Sequence, residues 1–244
     1  MSPTSVLLSL LILSLSPVCA IAQELPGQEE LFEEANPQTH AGLLGKRYAQ
    51  VMYRQFHLYD DPLKIFDDSL QGFDARLNVP LWHSPEPRGL GIDSYGGYGR
   101  LGLGGTTFIG PPLNTSATLH SSNEAYYGGL VAHASIFEKV RPFTQLGVAF
   151  TDSRAALSLG GQFADKFVDH DTRMQMVLGA EADLASFAAV RCAFNIATKE
   201  RFGDSVFSTE LILWAHKPVF LRGGVLAPLN GEALGATVGG VIQF

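Results

Sequence analysis

The sequence offers one cluster of residues that could activate water, at Asp169-His170-Asp171, with further carboxylate pairs at Asp60-Asp61 and Asp67-Asp68. A histidine oriented by a carboxylate can act as a general base when a substrate lies within hydrogen-bond reach. Consecutive residues of a strand point to opposite faces, so His170 and Asp171 would not face one substrate. We therefore interpret these side chains as hydrated loop charges and predict no catalytic residue.

The other motifs with chemical potential have the wrong spacing or context. The acidic segments contain oxygen ligands for Ca²⁺ but no EF-hand spacing. The segment Gly99-Arg-Leu-Gly102-Leu-Gly104 loosely matches a nucleotide-binding loop, but no helical pattern follows it. The following histidines show no metal-ligand spacing: His40, His57, His83, His120 and His216. We predict no cofactor and no metal site.

The composition excludes several classes of protein. Of 244 residues, 46% are apolar and only 17% are charged, and the formal net charge is -7. These values argue against a disordered chain and against a basic protein that binds nucleic acid. The longest apolar run, from Val6 to Leu15, is much shorter than the roughly 20 residues of a membrane-spanning helix. The apolar residues must therefore follow some other pattern.

The N-terminal sequence predicts export. The apolar run is followed by Ser16-Pro17 and by small residues at Ala20 and Ala22, which indicates a signal peptide over residues 1–22, cleaved after Ala20 or Ala22. Residues 23–44, with five glutamates, are predicted to form an acidic mobile extension. Cleavage leaves Cys192 as the only cysteine, so no intramolecular disulfide can form. Residues 45–244 are predicted to form one domain.

From Gly45 onward, apolar residues recur at every second position, which is typical of β-strands. Between Arg173 and Leu184, for example, the residues at odd-numbered positions are mostly polar or small, and those at even-numbered positions are apolar. We call each such set of alternate positions a parity. The pattern predicts about ten strands, with eight as the alternative, and most have the roughly 9–11 residues of a tilted membrane-crossing strand. The predicted strands are residues 46–57, 70–81, 92–103, 124–137, 140–151, 173–184, 187–198, 206–216, 219–226 and 232–244.

The lengths of the connections alternate as well. Three of the four connections at 82–91, 138–139, 185–186 and 217–218 are tight turns, whereas those at 58–69, 104–123, 152–171 and 199–205 are longer loops. Short turns at one end and long loops at the other are typical of outer-membrane barrels. A sheet in lipid must close so that its backbone groups are paired. We predict an all-β fold, a closed antiparallel up-and-down transmembrane β-barrel. A soluble sandwich, with its apolar faces inward, remains the alternative.

The chain resembles the small bacterial outer-membrane β-barrel proteins, the outer-membrane protein A-like and attachment-invasion-locus-like group. The export signal, the alternating strands, Lys46-Arg-Tyr-Ala49 and Val140-Arg-Pro-Phe143 carry the resemblance, together with the ending. The resemblance implies the outer membrane of a diderm bacterium as the location, and outer-membrane lipid and the barrel-insertion machinery as partners. It also implies that the insertion machinery reads a C-terminal signal, which consists of Val238, Gly240, Ile242 and Phe244.

The charged residues share the parity that would face the lumen. We expect a network of paired charges there, formed by Arg54, Asp74, Arg76, Arg100, Glu181, Asp183, Arg191, Glu210 and Arg222. Aromatic girdles at the membrane interfaces are expected to include Tyr53, Trp82, Tyr95, Phe150, Phe207 and Phe244.

A ten-stranded barrel is only slightly wider than the eight-stranded kind, whose interior is filled by side chains. We therefore hypothesise a monomer with a filled lumen and a structural or surface-interaction role, in which long extracellular loops meet an external ligand or surface. A narrow channel for ions or small solutes is the alternative. A third hypothesis is a membrane hydrolase, because the Asp169-His170-Asp171 cluster resembles the acidic-histidine sites of omptin proteases, which are ten-stranded barrels.

Overall fold

The computed structural model describes residues 41–59, 66–84, 89–112, 114–135, 139–196, 205–216 and 218–244. The predicted signal peptide, most of the predicted extension, and Asp60 and Asp61 lie outside these residues. No helix in the described part of the chain has the length and apolar character for a bilayer crossing.

Ten antiparallel strands form one closed barrel. The strands are β1 (Tyr48–Leu58), β2 (Ser69–His83), β3 (Leu90–Ile109), β4 (Thr115–Ala134), β5 (Val140–Leu159), β6 (Gln162–Ala185), β7 (Ala188–Ile196), β8 (Val206–His216), β9 (Val219–Pro228) and β10 (Ala233–Gln243). Each strand pairs with its neighbours in sequence, and β1 pairs with β10 to close the sheet. The predicted up-and-down barrel is confirmed, with ten strands rather than eight. We call the end where β1 begins and β10 ends the terminal rim, and the opposite end the far rim.

Two of the predicted long loops are strands. β3 and β4 stay in register out to the pair Ile109↔Thr115, and β5 and β6 stay paired out to Leu159↔Gln162. The prediction of loops at 104–123 and 152–171 is therefore wrong. Their Gly, Ser and Asp content indicates loops, but each strand finds a hydrogen-bonding partner across a short turn. The hydroxyls of Thr106 and Thr118 also meet at 2.9 Å across the first hairpin.

Large apolar side chains cover the outside of the barrel. Met174 is 67% exposed, Val238 is 62% exposed and Leu146 is 52% exposed. Polar residues such as Asp74, Asn78, Glu181 and Arg222 are instead buried inside. A soluble sandwich would have the opposite arrangement. We call this outward-facing apolar surface the belt, because only a hydrocarbon environment removes it from water.

The upper edge of the belt is marked by two adjacent rows of residues. Tyr98, Tyr126 and Phe150 lie in direct register on β3, β4 and β5, facing outward. Two residues farther along each strand, towards the far rim, the outward-facing residues are charged: Arg100, Glu124, Asp152 and His170. On β5 the belt runs from Val140 to Phe150. Ten steps of about 3.3 Å, tilted by about 40°, span about 25 Å, the height of an outer-membrane apolar band.

From the charged row outward, β3–β6 continue as a four-stranded wall, which we call the projection (residues 100–109, 115–124, 152–159 and 162–170).

The aromatic girdles are partly as expected, since Tyr53, Trp82, Phe150 and Phe244 are exposed on the outer surface. Tyr95 was predicted to lie in a girdle, and this is wrong. Only 5% of it is exposed, and it packs in the lumen.

The belt makes a quantitative prediction. Leu146→Arg, at mid-belt, should lower the free energy of unfolding by about 2–4 kcal/mol, because it places a charge in hydrocarbon. Phe167→Arg is the control, since Phe167 is similarly exposed (59% against 52% for Leu146) but lies in the projection, and it should cost less than about 1 kcal/mol. Urea unfolding in lipid vesicles measures both values. Equal costs at the two positions would contradict the placement of the belt.

Candidate functional site

The chain re-enters the barrel before the first strand. Residues 41–46, which we call the plug, lie inside the terminal rim, and neither Ala41 nor Leu43 has any exposed surface. Gly45 has a positive φ of 75° and turns the chain from the plug into β1. The sequence predicted that residues 41–44 belong to a mobile extension. These four residues are instead part of the packed interior.

The plug contacts opposite walls of the barrel. Ala41 and Leu43 belong to one apolar cluster, and Leu44 belongs to another. The first cluster also contains Tyr48, Ala189, Ile212, Phe220 and Val241, and the second also contains Tyr95, Val131, Phe143 and Ala193. The plug therefore crosses the mouth of the barrel.

Backbone N–H groups of the plug donate to carboxylates of the barrel wall. Gly42 donates to Oδ1 of Asp183 at 3.1 Å, and Leu44 donates to Oε1 of Glu181 at 3.3 Å. Gly45 donates to Oδ2 of Asp93, on the other side of the mouth, at 3.0 Å. Hydrogen bonds to ionised acceptors are about twice as strong as neutral ones. The carboxylates thus hold a segment that has no strand partner of its own.

Arg141 neutralises two of these carboxylates. Its Nη2 lies 2.6 Å from Asp183 and 3.6 Å from Glu181, and its Nη1 donates to Asp183 at 2.8 Å. The Arg141 and Glu181 side chains are at most 4% exposed. Buried charges at this depth need such partners. Arg141 was not among the lumen charges predicted from the sequence. Its register partner on β6 is Glu181, which places it on the inner face.

Six further charges of the predicted network line the interior of the barrel. Arg222 forms an ion pair with Glu210 and donates to Gln50 at 2.6 Å. Arg54 lies 3.2 Å from Asp74. The remaining two cations face aromatic rings: the guanidinium carbons of Arg76 and Arg191 lie 4.3 and 4.2 Å from the ring centroids of Tyr95 and Phe143.

Arg100 does not lie in the lumen. It is opposite the outward-facing Phe73, and its Nε lies 3.7 Å from Glu124 on the outer surface. The prediction was wrong because neither parity of β3 is distinctly apolar, so the sequence does not fix its inner face. Nearby, beyond the belt, Arg154 donates to Asp152 at 2.6 Å and lowers the pKa of that carboxyl.

Above the network lies a cavity of about 340 Å³ that extends towards the far rim. Its inward-facing charged residues are Arg54, Arg76, Arg191 and Arg222 with two carboxylates, Asp74 and Glu210. Arg100 also borders it, although its side chain pairs with Glu124 on the outer surface. No residue of the plug lines it. The plug therefore lies between this cationic cavity and the terminal rim.

The two other groups of residues singled out in the sequence lie on the outside. Val238, Ile242 and Phe244 are exposed on the outer face of β10 and its end, on one parity with Gly240. His170 is 74% exposed and lies 3.7 Å from Asp152. Asp171, on the opposite face of β6, pairs with Arg173 at 2.8 Å.

A cluster of possible metal ligands lies beside the plug, where the sequence predicted none. His83, Asp93 and His133 each offer one ligand atom, and all three atoms lie within 4.8 Å of one another. A bulge in β2 between Pro80 and Trp82 shifts the register against β3. This shift brings His83, which strict alternation would place outside, onto the same face as Asp93. Alternation alone could not have found it.

Comparison with known proteins gives structural neighbours only. No family model and no curated protein matches the chain. The transport unit of the autotransporter AIDA-I from Escherichia coli aligns with 95% of this chain and 97% of its own length, at 9% identity and a TM-score of 0.50. The chain has the fold of a bacterial outer-membrane β-barrel. Two further outer-membrane barrels align less closely: Ail from Yersinia pestis (14% identity, 82% and 99% coverage, TM-score 0.37) and the KdgM porin (11%, 80% and 99%, 0.34).

The hydrogen bonds between the plug and the wall carboxylates should determine how often the plug leaves the lumen. Asp183→Ala removes the acceptor of Gly42 and a partner of Arg141. A hydrogen bond to a charged group contributes about 1.5–3 kcal/mol, so opening should become about tenfold or more frequent. The rate of thiol labelling at Leu43→Cys, in a Cys192→Ala background, reports opening.

Asp171→Ala is the matched control, because Asp171 also forms an ion pair on β6 but lies far from the plug. Labelling should keep its original rate in that variant. Fast labelling at Leu43→Cys in the otherwise unchanged protein would contradict a seated plug.

Proposed function

We propose that this protein resides in the outer membrane with its terminal rim in the periplasm, and that its role is structural or surface interaction through the projection. The observation that carries the proposal is the plug, which bonds to opposite walls and closes one end of the lumen. The elongation of β3–β6 beyond the belt supports an interaction role at the other end. A barrel that is closed at one end and extended at the other suits the display of a binding surface better than the passage of solutes.

The projection offers exposed apolar side chains. Phe108 and Phe167 are among its most exposed residues. Apolar side chains exposed beyond the belt can contact an apolar patch on a partner. We propose an extracellular ligand or surface as the partner, and the barrel-insertion machinery as the reader of the C-terminal residues.

A narrow channel is the second candidate function, and the cavity supports it. The arginines that line the cavity outnumber its two carboxylates, which would favour small anions. The plug would have to leave for ions to cross. We propose no enzymatic role, since His170 and Asp171 face opposite sides of the sheet and His170 pairs across to Asp152.

The surface role is tested by removing the apolar side chains of the projection. Phe108→Ser with Phe167→Ser should reduce adhesion of cells that display the protein to hydrophobic and charged surfaces, and should reduce clumping of those cells. Phe187→Ser is the control, because Phe187 is also exposed but lies at the terminal rim. Unchanged adhesion in the double variant would refute a role for these side chains.

The closed lumen is tested by conductance in planar bilayers. The intact protein should show no steady conductance, whereas deletion of residues 23–45 should open a small conductance that favours anions. Heat-modifiability on gels shows whether the deletion variant folds, and Asp183→Ala provides a milder opening if it does not. A steady conductance of the intact protein would favour the channel instead.

A further inference from the structure

We propose that His83, Asp93 and His133 form a binding site for a divalent transition metal, with Zn²⁺ as the best fit, at the terminal rim. The site lies at the point where the plug joins the barrel wall. It is independent of the projection and of the function proposed for it.

The distances between the three side chains fit a metal better than direct hydrogen bonds. Oδ1 of Asp93 lies 3.4 Å from Nε2 of His133 and 3.6 Å from Nε2 of His83. The first of these contacts is a long hydrogen bond, and both separations exceed the 2.7–3.2 Å of a typical N–H···O bond. Two ligands at about 2.0–2.1 Å from a tetrahedral Zn²⁺ are about 3.3 Å apart. Small side-chain rotations would therefore complete the site.

The second oxygen of Asp93 is already held in place. Oδ2 accepts the backbone N–H of Gly45 at 3.0 Å and the side-chain amide of Asn78 at 3.1 Å. These bonds orient the carboxylate so that Oδ1 faces the two imidazoles. Groups that orient a ligand in this way commonly change metal affinity by about tenfold to a hundredfold.

The backbone of β3 leaves space for two imidazole rings, one from the strand on each side. Gly91 of β3 lies opposite both His83 of β2 and His133 of β4 in the register. A Cβ at Gly91 would collide with the His133 ring and lie 2.6 Å from Nδ1 of His83. The absence of a side chain lets the rings approach across β3, with centroids 5.2 Å apart.

The ligand set and its exposure indicate which ion fits. Two imidazoles and one carboxylate suit Zn²⁺ and its neighbours in the first transition series, and do not suit Mg²⁺ or Ca²⁺. The side chains of Asp93 and His133 are 1% and 6% exposed, whereas that of His83 is 40% exposed. The site is thus reachable from the terminal rim, and water can complete the coordination. A bound ion would join β2, β3 and β4 and, through Asp93, fix Gly45 of the plug.

The test is a titration of the metal-free protein, refolded in detergent, with Co²⁺ and then Zn²⁺. We expect one equivalent of Co²⁺ per chain with the intense visible absorption of tetrahedral coordination, displaced by Zn²⁺. His83→Gln should weaken Zn²⁺ binding about tenfold or more. His57→Gln is the control, since His57 also lies near a carboxylate, Asp68 at 3.7 Å, but at the far rim, and it should bind as the original protein does.

Two outcomes would overturn the proposal. One is the absence of saturable binding by the intact protein. The other is unchanged binding in His83→Gln. Heat-modifiability confirms that this variant folds. If it does not fold, X-ray absorption of the Zn²⁺ complex of the intact protein decides the question: two imidazole ligands support the site, and any other number refutes it.

Discussion

The structure depends on one constraint, that a backbone in hydrocarbon must satisfy its own hydrogen bonds. Closure of β1 against β10 meets this constraint, because it leaves no unpaired edge within the belt. Once the sheet is closed, its two faces meet different surroundings. The outer face meets lipid and carries side chains such as Met174 and Val238, while charged side chains at the height of the belt, such as Glu181 and Arg222, lie on the inner face. A low overall charge is therefore consistent with a densely charged interior.

The same closure buries charged side chains in the lumen. A barrel of ten strands is too narrow for bulk water to hydrate every charge, so each charge needs a partner in the protein. Arg222 and Glu210 satisfy each other, and Arg141 satisfies two carboxylates. Glu181 and Asp183 retain additional acceptor capacity, which the N–H groups of Leu44 and Gly42 use. The charge network inside the barrel is thus also what binds the plug.

Alternation, the lengths of the connections and the family resemblance together predicted the barrel and its ten strands. The period of two follows directly from strand geometry, and eight of the nine proposed lumen charges lie on the inner face. Alternation failed where regularity is broken. The inner face of β3 could not be chosen for Arg100, since glycines occupy both parities. The plug depends on a turn at Gly45, and nothing in the acidic segment before it indicates a buried end. The projection was mistaken for loops because its residues are small and polar.

The departures from a regular barrel concentrate at the terminal rim. The bulge after Pro80 turns His83 inward, Gly91 leaves space for two rings, and Gly45 reverses the chain. Each costs something in strand pairing or backbone entropy, and none is needed to close the sheet. Together they bring two imidazoles, a carboxylate and the end of the plug within a few ångströms. Natural proteins keep such irregularities mainly where function requires them. This concentration of irregularities is the reason that we place the proposed metal site at the terminal rim and not in the projection at the other end.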